Sequence, residues 1–290
     1  MFPVFSPPPL ASSYSVTVHD ALTQGTELLE DECIAAPRLT AEVLLAHALR
    51  RDRVWLFAHG DEELGEVGWI HFGRYLHERM AGKPTQYITG RQEFYGREFR
   101  VGPAVLIPRP ETEHVVEAAL AVLRPGMTVV DVGCGSGAIA VTLALETPAR
   151  VIATDISLDA LKVASGNARR LGAAVEFVAG DLTAPLRSAG AIVCNPPYVP
   201  ATDRTVLQRE VRDYEPPVAL FAGDTGLEIY RRLIADAPRI LENGGHLILE
   251  LGYNLAEPVR GMLGGEGWSG VRLIPDLAGI PRVLVARLFR

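Results

Sequence analysis

The sequence predicts an α/β fold: a small N-terminal helical bundle, a connecting β-hairpin and then a seven-stranded sheet. Two observations carry this prediction. In the C-terminal two-thirds, short apolar segments with strand character alternate with helical segments, which is typical of a parallel sheet. In the first third, the apolar residues instead recur at helical spacing.

Composition narrows the class of protein. The 290 residues are 48% hydrophobic and 22% charged, as in a globular protein of one large or two modest domains. The formal net charge of -7 does not favour a large basic face for nucleic acid. The three cysteines are an odd number without metal-ligand spacing, so we expect a reducing compartment, no disulfide framework and no metal site. No apolar run approaches the length of a membrane-spanning helix.

The chain divides into four predicted regions. Residues 1–15 are rich in Pro and Ser and carry no basic residue, so we expect a disordered extension and not a secretory signal. Residues 16–82 are expected to form four helices, which either bind a partner or support the fold. Residues 83–110 form the connector, in which the hairpin is expected from Gln86 to Val101. Residues 111–290 form the remaining domain, and its first helix is expected from Glu111 to Leu123.

A glycine-rich turn follows the first strand of this domain. The residues Asp131-Val-Gly133-Cys134-Gly135-Ser136-Gly137 precede a helix, and glycines allow the backbone to approach a ligand closely. The spacing loosely matches the dinucleotide-binding pattern as well, so it does not discriminate between nucleotides. Asp131 argues against a pyrophosphate ligand at this turn, because its carboxylate would repel the negative charge. The carboxylate could instead accept a hydrogen bond from an amino group of a ligand.

Two more acids end strands in this domain. Asp155 ends the second strand, where a carboxylate can accept hydrogen bonds from both hydroxyls of a ribose. Asp181 follows the third strand and could accept from an adenine amino group, while Leu182 covers the ring. The alternative for Asp181 is a helix cap.

An apolar strand ends in the turn Asn195-Pro196-Pro197-Tyr198. Proline cannot continue a central strand, so Asn195 is expected at the carboxyl end of the sheet, where ligands bind in open α/β folds. The Asn195 side-chain oxygen and the Pro196 carbonyl could hold both protons of a planar NH2 group, with Tyr198 against its face. The alternative is a turn that merely ends a strand. The long segment from Val199 to Ala222 is expected to be a functional loop.

In this order, Asp131-x-Gly-x-Gly-x-Gly137, Asp155, Asp181 and Asn195-Pro-Pro-Tyr198 resemble the class I S-adenosylmethionine-dependent methyltransferases, which have a Rossmann-like seven-stranded sheet. Two further segments narrow the resemblance: Phe94-Tyr-Gly96 and Leu106-Ile-Pro-Arg-Pro-Glu-Thr-Glu113. Behind a small helical domain, they resemble the peptide chain release factor glutamine methyltransferases (PrmC/HemK family). The resemblance covers about residues 17 to 290.

The resemblance implies a substrate and a methyl donor. The substrate is the Gln of the Gly-Gly-Gln motif in peptide chain release factors, which is methylated on its side-chain nitrogen. The donor is S-adenosyl-L-methionine, which leaves as S-adenosyl-L-homocysteine. The family further implies that the helical domain docks the factor, that the enzyme is cytoplasmic, and that neither a membrane nor a nucleic acid is required.

The resemblance also assigns roles to individual residues. It implies catalytic roles for Asn195, Pro196 and Tyr198. Substrate binding involves these residues together with Pro197, Phe94 and Arg109, although spacing alone leaves Arg109 equally compatible with a surface charge. Leu182 stands where some relatives carry Trp. The implied cofactor-binding residues are Asp131, Gly133, Cys134, Gly135, Ser136, Gly137, Asp155, Asp181, Leu182 and Asn195.

Four alternatives remain at this point. A ribosomal-protein glutamine methyltransferase would use the same chemistry. An adenine-amino DNA methyltransferase would use the same turn, but the net charge and the lack of room for a target-recognition domain argue against it. A scaffold that binds the cofactor without catalysis is a third alternative. A dehydrogenase is the fourth, and nothing in the sequence resembles a hydride-transfer site.

Overall fold

The computed structural model describes residues 16–265 and 267–290, so the expected extension at residues 1–15 lies outside the described part. The described chain forms two compact units that divide between Thr89 and Gly90. Among the described residues, none of the helices combines the length and the apolar character that crossing a bilayer requires.

The first unit is helical. A capping box starts its first helix: Thr17 Oγ1 accepts from the backbone N–H of Asp20, and Asp20 Oδ2 accepts from that of Thr17, each at 3.1 Å. Leu29, Leu44 and Phe72 are fully buried in the core of this unit. The helices are α1 (Val18–Asp31), α2 (Pro37–Leu49), α3 (Arg53–Ala58), α4 (Glu66–Met80) and α5 (Thr85–Thr89).

Helix α5 corrects one prediction, because the hairpin does not begin at Gln86. The carbonyl of Pro84 accepts from the N–H groups of Tyr87 and Ile88, which favours a helical turn there. The second unit opens with the hairpin of β1 (Arg91–Phe94) and β2 (Arg97–Arg100). Its two-residue turn, Tyr95-Gly96, has positive φ at both positions, the geometry that matches the twist of paired strands.

A seven-stranded sheet fills the second unit, and the predicted fold class is confirmed. The strand order is β5-β4-β3-β6-β7-β9-β8. The first five pair in parallel, and β9 runs antiparallel to both neighbours, as expected for the final strands. The strands are β3 (Thr128–Val132), β4 (Arg150–Asp155), β5 (Val175–Ala179), β6 (Ala189–Cys194), β7 (Leu241–Glu250), β8 (Trp268–Pro275) and β9 (Pro281–Leu288).

Helices cover both faces of the sheet, which gives it a separate buried core on each side. Two predicted boundaries were wrong. The helix expected from Glu111 starts as a 3-10 turn (Pro110–Thr112) and ends at Leu120, and the segment after Tyr198 contains α9 and α10. The helices are α6 (Glu113–Leu120), α7 (Ala138–Glu146), α8 (Leu158–Leu171), α9 (Arg209–Tyr214), α10 (Pro217–Leu220), α11 (Glu228–Ile240) and α12 (Ala256–Gly261).

The connections leave β3 toward β4 on one side and reach β6 on the other, so the strand order reverses between β3 and β6. Such a reversal opens a crevice above the carboxyl ends of the strands, which is the usual ligand site of open α/β sheets. The fold therefore brings the ends of β3, β4 and β6 together at one edge.

Candidate active site

A cavity of about 240 Å³ lies at this edge. Eight of the residues singled out from the sequence line it, and they lie at or just after the carboxyl ends of four different strands. They are Gly133, Gly135, Asp155, Asp181, Leu182, Asn195, Pro196 and Pro197.

The glycine turn after β3 forms one wall. Gly133 and Gly135 have φ values of 72° and 53°, which L-residues with a side chain rarely adopt. The backbone N–H groups of Gly133 and Cys134 both donate to the carbonyl of Thr154, at 2.8 and 2.9 Å, which fixes the turn against β4. A Cβ added to Gly133 or Gly135 would meet no atom within 4 Å, so the turn leaves open space beside its backbone.

Asp155 at the end of β4 is held by backbone donors. Its Oδ2 accepts from Gly135 N at 2.9 Å and its Oδ1 from Ser157 N at 2.8 Å. Each carboxylate oxygen can accept a second hydrogen bond. The side chain is therefore oriented by the glycine turn and retains two acceptor positions for a pair of hydroxyl groups.

Asp131 is fully buried and does not line the cavity. Its Oδ2 accepts from the backbone N–H of Ala140 in α7 at 3.0 Å, while Oδ1 has no partner among the described residues. Burial raises the pKa of Asp131 to about 7, although the Ala140 hydrogen bond opposes that shift. The structure thus couples Asp131 directly to the helix that follows the glycine turn.

Asp181 and Leu182 form the opposite end of the cavity. Arg232 in α11 also lines it and donates to Asp181 Oδ2 at 2.6 Å. Leu182 has a φ of 50°, and its carbonyl accepts from Thr154 Oγ1 at 3.1 Å. Arg232 was not predicted, since its partner lies 51 residues earlier in the chain.

The Asn-Pro-Pro-Tyr turn closes the side next to β6. Asn195 donates through Nδ2 to Thr112 Oγ1 at 3.2 Å, so its Oδ1 is the amide atom left to face a ligand. The Pro196 carbonyl accepts no hydrogen bond from any of the described residues. The turn therefore offers two acceptors, Asn195 Oδ1 and Pro196 O.

Tyr198 lies outside the cavity lining and is mostly buried. Its ring packs on Gly252, where an added Cβ would come within 2.7 Å of Tyr198 Cδ2. Burial raises the pKa of Tyr198 to about 12, so the phenol stays protonated at neutral pH. Cys134, Ser136 and Gly137 also lie off the lining and belong to the body of the glycine turn.

Phe94 and Arg109 are the remaining predicted substrate contacts, and neither lines the cavity. Phe94 is 1% exposed and packs edge-on against Phe99, with 6.0 Å between ring centroids. Arg109 donates through Nη2 to the buried Glu215, so its guanidinium is used within the protein.

Glu215 joins two segments that line the cavity. Besides the ion pair with Arg109, its Oε2 accepts from the backbone N–H of Ile107 at 3.2 Å. The segment before Ile107 and the segment after Glu215 both contribute lining residues, none of which was predicted. These are Ala104, Val105, Leu106, Pro216, Val218, Ala219 and Phe221.

Comparison with known proteins bears on both units. Residues 20–90 match the model of the PrmC N-terminal domain, and residues 114–213 match that of the methyltransferase small domain. A release factor glutamine methyltransferase of Koribacter versatilis is 45% identical over 278 residues, which cover 94% of this chain and 99% of the relative. One of Bacillus subtilis is 41% identical over 287 residues, covering 94% and 99%.

The chain belongs to the release factor glutamine methyltransferase family. A crystal structure of a methyltransferase from Pyrococcus furiosus is similar in fold, with a TM-score of 0.52 and 20% identity over 68% of this chain and 91% of that one. Family membership and fold together show that this release factor glutamine methyltransferase homologue is a methyltransferase.

Proposed function

We propose that this chain transfers the methyl group of S-adenosyl-L-methionine to the side-chain amide nitrogen of a glutamine in peptide chain release factors, in their Gly-Gly-Gln motif. The observation that carries the proposal is the pair of acceptors at the Asn195-Pro196 turn, at one end of a cavity whose other walls suit a nucleoside. Family membership supports the choice of substrate.

The residues that line the cavity suit S-adenosyl-L-methionine. Asp155 retains two acceptor positions for the ribose hydroxyls, and Asp181 can accept from the adenine amino group. Ile156 and Leu182 provide apolar surface at that end, and the backbone of Gly133 and Gly135 leaves room for the methionine part. When bound, the donor supplies a methyl group made electrophilic by the positive sulfonium.

The turn after β6 orients the nucleophile. A carboxamide nitrogen is a poor nucleophile, because its lone pair is delocalised into the carbonyl. Asn195 Oδ1 and the Pro196 carbonyl each accept one N–H of the substrate amide, which fixes the nitrogen in line with the methyl group. Such positioning can lower a barrier by about 7–11 kcal/mol in favourable cases.

The proton balance requires no general base. As the N–C bond forms and the S–C bond breaks, the amide nitrogen becomes positively charged and strongly acidic. One of its protons, held by Asn195 Oδ1 or the Pro196 carbonyl, is then lost to water. Tyr198 supports the turn by packing behind it on Gly252.

The test uses methyl-labelled S-adenosyl-L-methionine with three acceptors in parallel: a peptide chain release factor, a ribosomal protein and duplex DNA. We expect label in the release factor alone, and mass spectrometry should place it on the side-chain nitrogen of the Gly-Gly-Gln glutamine. A release factor with that Gln replaced should stay unlabelled. Label on DNA, on the ribosomal protein or on another atom would contradict the proposal.

A further inference from the structure

Thr112 lies behind the Asn195-Pro196 turn and has no part in the mechanism above. It ends the 3-10 turn Pro110–Thr112, is 4% exposed and does not line the cavity. Its Oγ1 accepts from Asn195 Nδ2 at 3.2 Å. A hydroxyl has one proton of its own to donate, so what Thr112 donates to decides what it can accept.

Glu250, the last residue of β7, stands next to Thr112. Its side chain is 3% exposed, and the Thr112 hydroxyl lies near enough to its carboxyl group to favour the ionised form. Its Oε2 has no partner among the described residues. The Glu250 backbone carbonyl is fixed separately, by the Tyr230 hydroxyl at 2.7 Å. Burying a carboxyl group this incompletely paired is costly, so its position calls for a role.

We propose that Glu250 and Thr112 are positioning residues that hold the Asn195 side chain with its oxygen toward the substrate amide. An ionised carboxylate only accepts, so the Thr112 proton is directed at Glu250. The Thr112 oxygen then accepts from Asn195 Nδ2, and Oδ1 faces the cavity. The inference rests on the proposed function and adds the two residues that give the turn its polarity.

The opposite direction of the hydrogen bonds among Glu250, Thr112 and Asn195 is unproductive. If Glu250 carries a proton, it can donate to Thr112, and the Thr112 hydroxyl becomes free to donate to Asn195 Oδ1. The amide can then turn over and present its NH2 group to the NH2 group of the substrate. Two donors cannot form a hydrogen bond, so the nitrogen of the substrate would lose its orientation.

Glu250 can change its charge near neutral pH. Burial raises its pKa to about 7, opposed by the Thr112 hydrogen bond. The tyrosines and the cysteine among its neighbours have raised pKa values and stay protonated in this range. The charged and titratable groups around Glu250 are Arg109, Glu111, Cys194, Tyr198, Tyr230 and Arg282.

The first test compares Thr112→Val, which keeps the shape but lacks the hydroxyl, with Thr112→Ser, which restores it. We expect Thr112→Val to lower kcat about tenfold to hundredfold, as loss of an orienting outer partner typically does. The KM for the release factor and the Kd for S-adenosyl-L-homocysteine should change less than about threefold, since only the orientation of Asn195 changes. Thr112→Ser should recover most of the rate.

Thr142→Val is the matched control, because Thr142 is also fully buried and its hydroxyl has no partner among the described residues. It should leave kcat unchanged. The proposal is overturned if Thr112→Val turns over at the wild-type rate, or if Thr112→Ser fails to recover activity while remaining folded. A wild-type enzyme that does not methylate the factor would instead overturn the proposed function.

The second test is the pH profile of Glu250→Gln, which keeps an acceptor for Thr112 but cannot titrate. The readout is the ratio of kcat at pH 8 to kcat at pH 6, whatever the absolute rate. For the wild type we expect a ratio of about ten from a group with a pKa near 7, and for Glu250→Gln a ratio near one. An unchanged ratio in the variant would overturn the proposal, even if Thr112→Val does not fold.

Discussion

At the scale of single residues, two buried carboxyl groups lie close to the proposed site without lining it. Asp131, the penultimate residue of β3, and Glu250, the last residue of β7, lie on the two strands that flank β6, and each has one oxygen without a partner among the described residues. Burial raises the pKa of each to about 7. The two buried acids therefore lower the folding stability of the unliganded protein once the pH exceeds their pKa in the unfolded chain.

Asp131→Asn measures that cost. The folded-state pKa of about 7 lies above the unfolded value near 4. The favourable contribution of protonated Asp131 to the free energy of unfolding is therefore fully present below about pH 4 and is lost as the pH rises through 7. Asn stays neutral and can still accept from Ala140 N. We expect urea unfolding to show a stability gain of the variant over the wild type that grows between pH 5 and pH 8, up to about 4 kcal/mol. A difference that does not vary with pH would contradict this.

Much of the site's composition could be predicted from single residues, and its second layer could not. Gly135, Asp155 and Asn195 lie at or just after the ends of strands, and parallel strands bring their carboxyl ends to one edge. Arg109 remained ambiguous because its partner, Glu215, lies 106 residues away and only the folded chain pairs them. Thr112 carries no local signal, since its hydroxyl accepts a hydrogen bond from a residue 83 positions later.

At the scale of elements, the glycine turn separates two roles. Gly135 faces open space, whereas a Cβ on Gly137 would come within 3.0 Å of the Cβ of Ala164 in α8. Both have positive φ, so an alanine costs about 1–2 kcal/mol at either position. Only at Gly137 does it also strain the packing of α7 against α8.

Gly135→Ala and Gly137→Ala therefore form a matched pair. We expect Gly135→Ala to weaken S-adenosyl-L-homocysteine binding about tenfold or more, or 1.4 kcal/mol, because its Cβ enters the cavity. Gly137→Ala should lose more folding stability and less affinity. Calorimetric titration and urea unfolding of both variants give the comparison, and equal losses in both properties would count against the assigned roles.

The second case at this scale is the pair of cavity-lining segments that Glu215 joins through Arg109 and Ile107. Glu215→Gln removes the ion pair with Arg109 but keeps an acceptor for Ile107 N. We expect faster hydrogen exchange in residues 104–107 and 215–221 and cofactor binding weakened by about threefold to tenfold. Asp213→Asn, which breaks an exposed pair with Arg212 on the preceding helix, is the control and should change neither. A Glu215→Gln variant that matches this control would contradict the claim that Glu215 holds the two segments together.

Element boundaries were harder to predict than element types. The seven strands and their parallel core follow from apolar runs of strand length, and all are found. Helix α5 was missed because aromatic and β-branched residues favour strands locally, whereas the Pro84 carbonyl organises a helical turn there. In the segment after Tyr198, α9 is short and mostly polar and α10 has only four residues, so no apolar period marks them.

At the scale of the whole molecule, each unit has its own buried core, and the cavity belongs to residues 90–290. A ligand stabilises the cooperative unit that contains its site, by about 2.7 kcal/mol at a hundredfold excess over Kd. We expect saturating S-adenosyl-L-homocysteine to slow hydrogen exchange across the sheet while amides of α1 to α4 exchange as before. Equal protection in both units would contradict independent cooperative units.

The central claim is that the Asn195-Pro196 turn grips the NH2 group of the substrate amide, and Asn195→Ala tests it most directly. With donor and release factor saturating, we expect the single-turnover rate of methyl transfer to fall about 100- to 1,000-fold, as for other losses of one preorganised hydrogen bond at a reacting group. The Kd for S-adenosyl-L-homocysteine should stay within about threefold of the wild type, a difference below 1 kcal/mol. A variant that transfers methyl within a few-fold of the wild-type rate would contradict the account.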